Sequence, residues 1–251
     1  LWRNTELRRR GEYDSAYYYL SKSSQLARLL KDTILLREVY FSFGELSQDT
    51  EDYMTALAAY RECLRMGSPS LPTPRSIRYT VYNNNALIYE NQVDYDDSLL
   101  YYQKALDLED SLSYNYRARL YSNMSFIAQT QHDTTMMLDL LYKAYPLAQE
   151  NRDTSVLISV HLYLANTYLA QGYRAWAVEE IEQYEHRFSK FRYVGETDFF
   201  ATDLLEFYTD LGDYERAAEC VKRAYRSMAE FAWPPEYYRE FLIQCSKLAA
   251  A

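Results

Sequence analysis

Apolar and aromatic residues recur three and four positions apart along most of the chain, as they do on one face of an α-helix. Tyr40 and Phe43 stand three apart, and Tyr82 and Ala86 stand four apart in a later segment. Only six Gly and six Pro occur in 251 residues, and three of the prolines fall within residues 67–74. A chain with so few helix breakers is predicted to be helical.

A short motif occurs six times along the chain. Its clearest copies are residues 11–16 (Gly-Glu-Tyr-Asp-Ser-Ala) and 212–217 (Gly-Asp-Tyr-Glu-Arg-Ala), and weaker copies begin at positions 51, 93, 132 and 172. Successive copies therefore lie 39–42 residues apart. Such regular spacing indicates a repeated pair of helices, with the second helix of each pair beginning near 11, 51, 93, 132, 172 and 212.

Within the motif, a small residue is followed four positions later by a large one. The pairs are Ala16 and Leu20, Ala56 and Tyr60, Ser98 and Tyr102, Ala177 and Ile181, and Ala217 and Val221. A small side chain lets two helices approach closely, and a large one a turn later fills the space beyond. We expect the motif Tyr to pack against the preceding helix. An acidic residue near the motif start suits the positive end of the next helix.

The segments between helix pairs carry a second recurring pattern. Asp32-Thr33, Asp110-Ser111, Asp153-Thr154 and the segment 196–198 are predicted to cap the helices that follow them. The Pro-rich stretch 67–74 takes this place once, either as a stiff spacer or as an interaction element.

These residues together resemble the tetratricopeptide repeat: an aromatic residue, a small residue, then Tyr, Ala and a second aromatic residue. The usual repeat has about 34 residues, and the copies here are of a longer type of about 40. The resemblance implies an all-α fold, a right-handed α-α superhelix of about six helix pairs. A single domain would span residues 1–251, with a further C-terminal helix at about 236–248.

The chain departs from the family pattern in places. Asn85 stands where the family has an apolar residue, and Leu205 where it has a small one. Pro146 falls inside the second helix of the fourth copy, so we expect an irregularity near residues 132–150.

Composition narrows the possible functions. The formal net charge is −9, and short basic runs such as residues 8–10 are isolated, so direct nucleic-acid binding by this segment is disfavoured. No apolar run approaches the roughly 18–20 residues that a membrane span needs. The pattern leaves the cellular compartment and the oligomeric state open.

No known catalytic or metal-binding pattern is found. The cysteines Cys63, Cys220 and Cys245 are widely spaced, which predicts core packing and neither a disulfide framework nor a zinc site. The histidines occupy unrelated positions, and His161 is interpreted as a core residue. Phosphate-binding, nucleophile-elbow and zinc-protease motifs are missing from the sequence. We therefore predict no catalytic residue, no metal and no cofactor.

In a tetratricopeptide stack the first helix of each pair lines the concave surface, and this rule comes from the resemblance. Helical spacing then selects one face of each first helix, which we call the first-helix face. Its predicted partner-binding residues are Phe41, Glu45, Asn83, Leu87, Glu90, Ser122, Phe126, Gln129, Leu162, Asn166, Leu169 and Glu206, with Gln48, Thr202 and Thr209 beside them.

This mixture of amides, carboxylates and apolar groups suits a peptide with apolar anchors and some basic character. The predicted function is therefore a non-catalytic scaffold that binds a protein or peptide. Two alternatives stay open: a regulatory segment of a larger bacterial signalling protein, and an enzyme or small-molecule binder. Binding through the Pro-rich stretch or through an exposed surface at Tyr17–Tyr19 also stays open.

Overall fold

The computed structural model of the protein describes residues 2–67, 72–108, 114–188, 200–230 and 235–250. These residues form thirteen α-helices and no strand, which confirms the predicted all-α fold. The chain divides into two compact units, Leu1–Asp133 and Thr134–Ala251.

Unit 1 contains seven helices. They are α1 (Trp2–Arg9), α2 (Tyr13–Leu29), α3 (Thr33–Asp49), α4 (Tyr53–Arg65), α5 (Arg75–Asn91), α6 (Tyr95–Leu106) and α7 (Tyr114–Thr130). Helices α1 and α2, α3 and α4, and α5 and α6 pack as pairs, each joined by a short turn, so the two members of a pair run antiparallel.

Unit 2 contains six helices. They are α8 (Thr134–Asn151), α9 (Thr154–Ala170), α10 (Arg174–Phe188), α11 (Phe200–Leu211), α12 (Tyr214–Glu230) and α13 (Pro235–Ala250). Helix α9 packs against α8 and α10, and α11 packs against α12 and α13. The last helix occupies the place where the sequence predicts one at about 236–248.

The turns share one geometry, in which the residue at the motif start adopts a left-handed conformation. Its φ is +72° at Gly11, +59° at Glu51, +61° at Val93 and +79° at Gly212. The next residue then donates its N–H back to the helix just ended, as Asp94 does to the Tyr89 carbonyl at 2.9 Å. This is a Schellman ending, which satisfies carbonyls at the helix terminus.

The residue after the left-handed position begins the next helix as its N-cap. Asp52 accepts the N–H of Thr55 at 3.2 Å, and Asp213 accepts that of Arg216 at 3.1 Å. The acidic residue thus lies one position before the first turn, where its side chain satisfies a free backbone donor. The predicted caps Asp32 and Asp153 make the same contact, whereas segments 109–113 and 189–199 lie outside the described residues.

The predicted register of the second helices places small residues in the core. Ala16, Ala56, Ser98, Ala177 and Ala217 are all 0% exposed. In the fourth copy, Met137 takes the position of the small residue and Leu141 that of the large residue four positions later. Both are buried. Where the small residue is Ser98, its hydroxyl donates to the Ala86 carbonyl at 2.9 Å, so no buried polar group is left unpaired.

One expectation about local structure needs correction. The motif tyrosines do not all pack down, because Tyr13, Tyr173 and Tyr214 are 37%, 51% and 48% exposed. They stand at or beside the first position of a helix. Helix α8 runs from Thr134 to Asn151 with Pro146 inside it, and the irregularity expected near residues 132–150 stays a prediction.

Candidate functional site

The first-helix face in unit 1 lies on α3, α5 and α7. Its partly buried members are Phe41, Glu45, Asn83, Leu87, Glu90 and Gln129. Phe126 is 37% exposed and offers an aromatic edge to the surroundings. Partial burial leaves these side chains positioned by their neighbours and still within reach of a partner.

Two predicted face residues are not available to a partner as the helices are packed. Ser122 on α7 is 6% exposed and Leu162 on α9 is 4% exposed, and their neighbour Thr202 on α11 is 4% exposed. Helical spacing selects a face but not its edges, and these positions fall on the packed edge. They belong to the core, and we remove them from the candidate site.

A hydrogen-bonded tyrosine holds the first-helix face in the second copy. The Tyr60 hydroxyl on α4 donates to Gln48 Oε1 on α3 at 3.0 Å and accepts from Asn84 Nδ2 on α5 at 2.8 Å. Phe41 packs on the same ring, with centroids 6.1 Å apart. One buried side chain thus joins the first helices of two successive pairs.

The third copy repeats this arrangement with a carboxylate. Tyr102 on α6 stands where Tyr60 stands on α4, and its hydroxyl donates to Glu90 Oε2 at 3.0 Å. Burial, reinforced by Glu90, raises the pKa of Tyr102 above its ordinary value. Burial also raises the pKa of Glu90, and the Tyr102 hydroxyl offsets this only in part. We call these two arrangements the tyrosine ladder.

An ion-pair cluster lies beside Gln48 on the same face. Arg8 on α1 contacts Glu45 Oε2 and Asp49 Oδ2, both at 2.6 Å. Burial raises the pKa of Glu45 although Arg8 opposes that shift. Much of the acidic charge of α3 is therefore already paired within the unit.

Unit 2 carries its own predicted face residues on α9 and α11. Asn166 and Leu169 are partly buried. Glu206 pairs with Lys247 of α13, at 3.1 Å between Oε1 and Nζ. The face residue of α11 is thus engaged by the last helix.

His161, interpreted from the sequence as a core residue, is 2% exposed. Its Nδ1 lies 2.8 Å from Glu180 Oε2, and the Tyr145 ring meets it edge-on. The structure therefore gives this histidine a packing role with one polar partner.

The sequence did not identify Tyr60, Tyr102, Asn84 or Arg8 as members of this face. A signal was present: Gln48 and Glu90 each stand three residues before a motif start, and Tyr60 and Tyr102 each stand nine after it. Polar residues at matching positions of two copies indicate a contact that the repeat preserves.

The described residues offer little reactive chemistry. No group of three or more His, Cys, Asp or Glu side chains within them is arranged to hold a metal ion. Burial raises the pKa of the Cys63 thiol to about 12 and that of Cys220 to about 11, so both stay protonated and unreactive at neutral pH. None of the helices in these parts of the chain is both long and apolar enough to cross a membrane.

Comparison with known proteins agrees with this architecture. The tetratricopeptide repeat family model matches residues 79–111, which begin within α5 and include α6. A solved structure described as "Crystal structure of BtubC (BKLC) from P. vanneervenii" matches with a TM-score of 0.68 and 21% identity, over 89% of this chain and 94% of that one. No curated protein matches the chain.

The fold and the tyrosine ladder define a helical-repeat protein with polar faces built from successive pairs. One segment of the chain matches the tetratricopeptide repeat model, and the whole helical fold is similar to that of the solved structure. Repeats of this kind generally mediate protein–protein interaction and are typically non-catalytic.

Proposed function

We propose that the chain is a non-catalytic scaffold that binds a peptide segment of a partner protein on the first-helix face of unit 1. The tyrosine ladder is the observation that carries this proposal. It fixes Gln48 and Glu90 at matching positions of two successive first helices. Polar groups held in register along neighbouring helices suit the repeating backbone of a bound peptide.

The chemistry of the partner follows from the groups around the ladder. Phe126 and Leu87 offer apolar contacts, and Asn83 offers an amide that can bond a peptide group. Glu90 carries an acidic group with no ion-pair partner among the described residues. A peptide with apolar anchors and some basic character fits this set.

Mutations on this face test the proposal. Peptides would be selected from a random library displayed on phage against the whole chain, and their affinities measured by fluorescence anisotropy. Changing Phe126 to Ala should weaken binding most, by about 2 kcal/mol, because exposed aromatic anchors dominate such interfaces. Asn83→Ala should weaken binding less. Asn166→Ala tests whether the predicted face residues of unit 2 also contact the peptide.

The control is Tyr18→Ala, which removes an aromatic ring that is 57% exposed on α2. Unfolding by urea should be nearly unchanged in all these variants, since none of the residues is buried. A peptide whose affinity is unchanged by Asn83→Ala and Phe126→Ala but is abolished by Tyr18→Ala would contradict the proposal. Such a result would place the site on the Tyr17–Tyr19 surface.

A further inference from the structure

A second concave feature of unit 1 lies between α4 on one side and α5 and α6 on the other. It is a groove of about 650 Å³, within the size range of pockets that bind ligands. Asn85 and Tyr89 line it, whereas Leu87 and Glu90 belong to the first-helix face. At 100° per residue these two sets point to largely opposite sides of α5, so the groove is a separate surface.

Positive charge surrounds this groove. Arg61 and Arg65 of α4 and Lys104 of α6 line it, and its lining contains no Asp or Glu. Arg65 is paired with Glu62 one turn away on its own helix, at 2.8 Å and largely exposed to solvent. Such a pair is weak and easily exchanged for another carboxylate. Arg61 is exposed and makes no ion pair with any residue that the structure describes.

One wall of the groove is aromatic. The rings of Tyr89 and Tyr101 are stacked, with centroids 5.4 Å apart and planes 18° apart. Lys104 Nζ lies 4.1 Å from the centre of the Tyr101 ring. The stacked rings can pack against an apolar or aromatic side chain of a ligand. The ammonium group beside them can pair with a negative charge next to that side chain.

One residue that lines the groove carries a buried polar atom. Asn85 is 5% exposed, and its Oδ1 has no hydrogen-bond partner among the described residues. A buried carbonyl oxygen without a donor is unfavourable. A ligand that carries N–H groups can correct this, whereas a simple carboxylate or phosphate cannot, because it offers only acceptors.

We propose that this groove binds an acidic peptide segment of a partner protein. Carboxylates of the peptide contact Arg61, Arg65 and Lys104, a neighbouring apolar or aromatic side chain packs on the tyrosine wall, and an N–H donates to Asn85. Because the whole chain is strongly acidic, it repels an acidic peptide in general. The cationic groove is a place where such a peptide is attracted. The surface is distinct in place and in charge from the first-helix face.

The test uses the whole chain and a random peptide library displayed on phage. Selection on the unmodified chain is compared with selection on the double variant Arg61→Glu/Lys104→Glu. The matched control is Arg226→Glu, which reverses an exposed cation on α12 far along the chain. Circular dichroism at increasing temperature checks that every variant is folded.

Net-negative peptides should be enriched on the unmodified chain and on Arg226→Glu. The double variant should bind the enriched peptides about tenfold or more weakly, and replacing their Asp and Glu by Asn and Gln should have a similar effect. Failure to enrich net-negative peptides, or equal losses in the double variant and the control, would overturn the proposal.

Asn85→Leu separates a binding role from a structural one. Leucine removes the unpaired oxygen, so this variant should unfold at a higher urea concentration and yet bind the acidic peptides more weakly. Glu179→Gln, at an exposed carboxylate of α10, should leave their affinity unchanged. Unchanged peptide affinity in Asn85→Leu, or full displacement of the peptide by free citrate, would show that the groove does not recognise a peptide.

Discussion

At the scale of single residues, the motif start is set by backbone conformation. Three of its copies, Gly11, Gly172 and Gly212, have glycine at a left-handed position, where this residue carries no steric penalty. Val93 adopts the same conformation with φ of +61°, although a branched side chain makes it costly. The geometry of the turn therefore outweighs the preference of the residue.

Replacing Val93 by Gly should stabilise the protein by about 0.5–1 kcal/mol. The left-handed conformation costs a residue with a Cβ about 1–2 kcal/mol, and part of that gain is lost to the greater freedom of glycine in the unfolded chain. The matched control is Gly212→Ala, where a new Cβ meets no atom within 4 Å, so only the backbone term acts. Gly212→Ala should destabilise by a similar amount. A lower urea midpoint in Val93→Gly, or a higher one in Gly212→Ala, would contradict the backbone explanation.

Glu90 and Gln48 occupy the same position in two copies and accept from equivalent tyrosines. Because burial raises the pKa of Glu90, its neutral form is more favourable in the folded protein than in the unfolded chain. The contribution of Glu90 to stability is therefore greatest at acidic pH and is lost as the pH rises through its raised pKa. The amide of Gln48 makes the same contact at every pH.

Glu90→Gln should consequently gain stability relative to the unmodified chain as the pH rises from about 4 to 7. The measurement is the urea midpoint of both proteins at each pH. Gln48→Glu is the reciprocal variant and should lose stability over the same range. A constant difference across the pH range would mean that Glu90 titrates as it does in water.

At the scale of helices, packing depends on small residues in both helices of a pair. Gly44 of α3 is an extreme case, because a Cβ placed there would lie 2.4 Å from the Tyr60 ring. Helix α3 therefore approaches α4 more closely than an alanine would allow. Ala86 takes the same place on α5 and is itself fully buried.

Ala217→Leu should destabilise the protein by roughly 1–3 kcal/mol, since it forces extra volume between α11 and α12. Ala217 is 0% exposed, whereas Glu179 on α10 faces solvent. Glu179→Ala is therefore the control and should change the stability by no more than about 0.5 kcal/mol. Equal effects of the two changes on the urea midpoint would show that the helix register is wrong.

The distinction between contacts within one helix and contacts between helices explains which features could be predicted from the sequence. The starts of the second helices, two residues after the motif starts, could be predicted. The left-handed turn and the capping Asp that set them are local features of adjacent residues. The burial of Ser122 and Leu162 depends on which neighbouring helix covers the edge of the face, and spacing within one helix does not contain that information. The tyrosine ladder was missed for a related reason, because it joins residues of four helices, α3 to α6.

At the scale of the whole molecule, the repeat was visible because its period is long and nearly constant. The division into two compact units was not, although it falls between Asp133 and Thr134, within the copy that has neither the Gly nor the Tyr of the motif. The two surfaces proposed as binding sites both lie in unit 1 and differ in charge. The first-helix face includes Glu45 and Glu90, and the groove includes arginines and a lysine. Their partners would therefore be chemically different.

The shared turn geometry has a consequence for how such a chain changes in length. Each described turn with a left-handed residue ends one helix and is followed at once by the residue that begins the next, as at Glu51 and Val93. A gene segment that runs from one motif start to the next, as from Glu51 to Val93, encodes a second helix and the first helix that follows it, with compatible ends. Its in-frame duplication or deletion, as by unequal crossing-over, would join matching turns and leave every remaining helix with its cap.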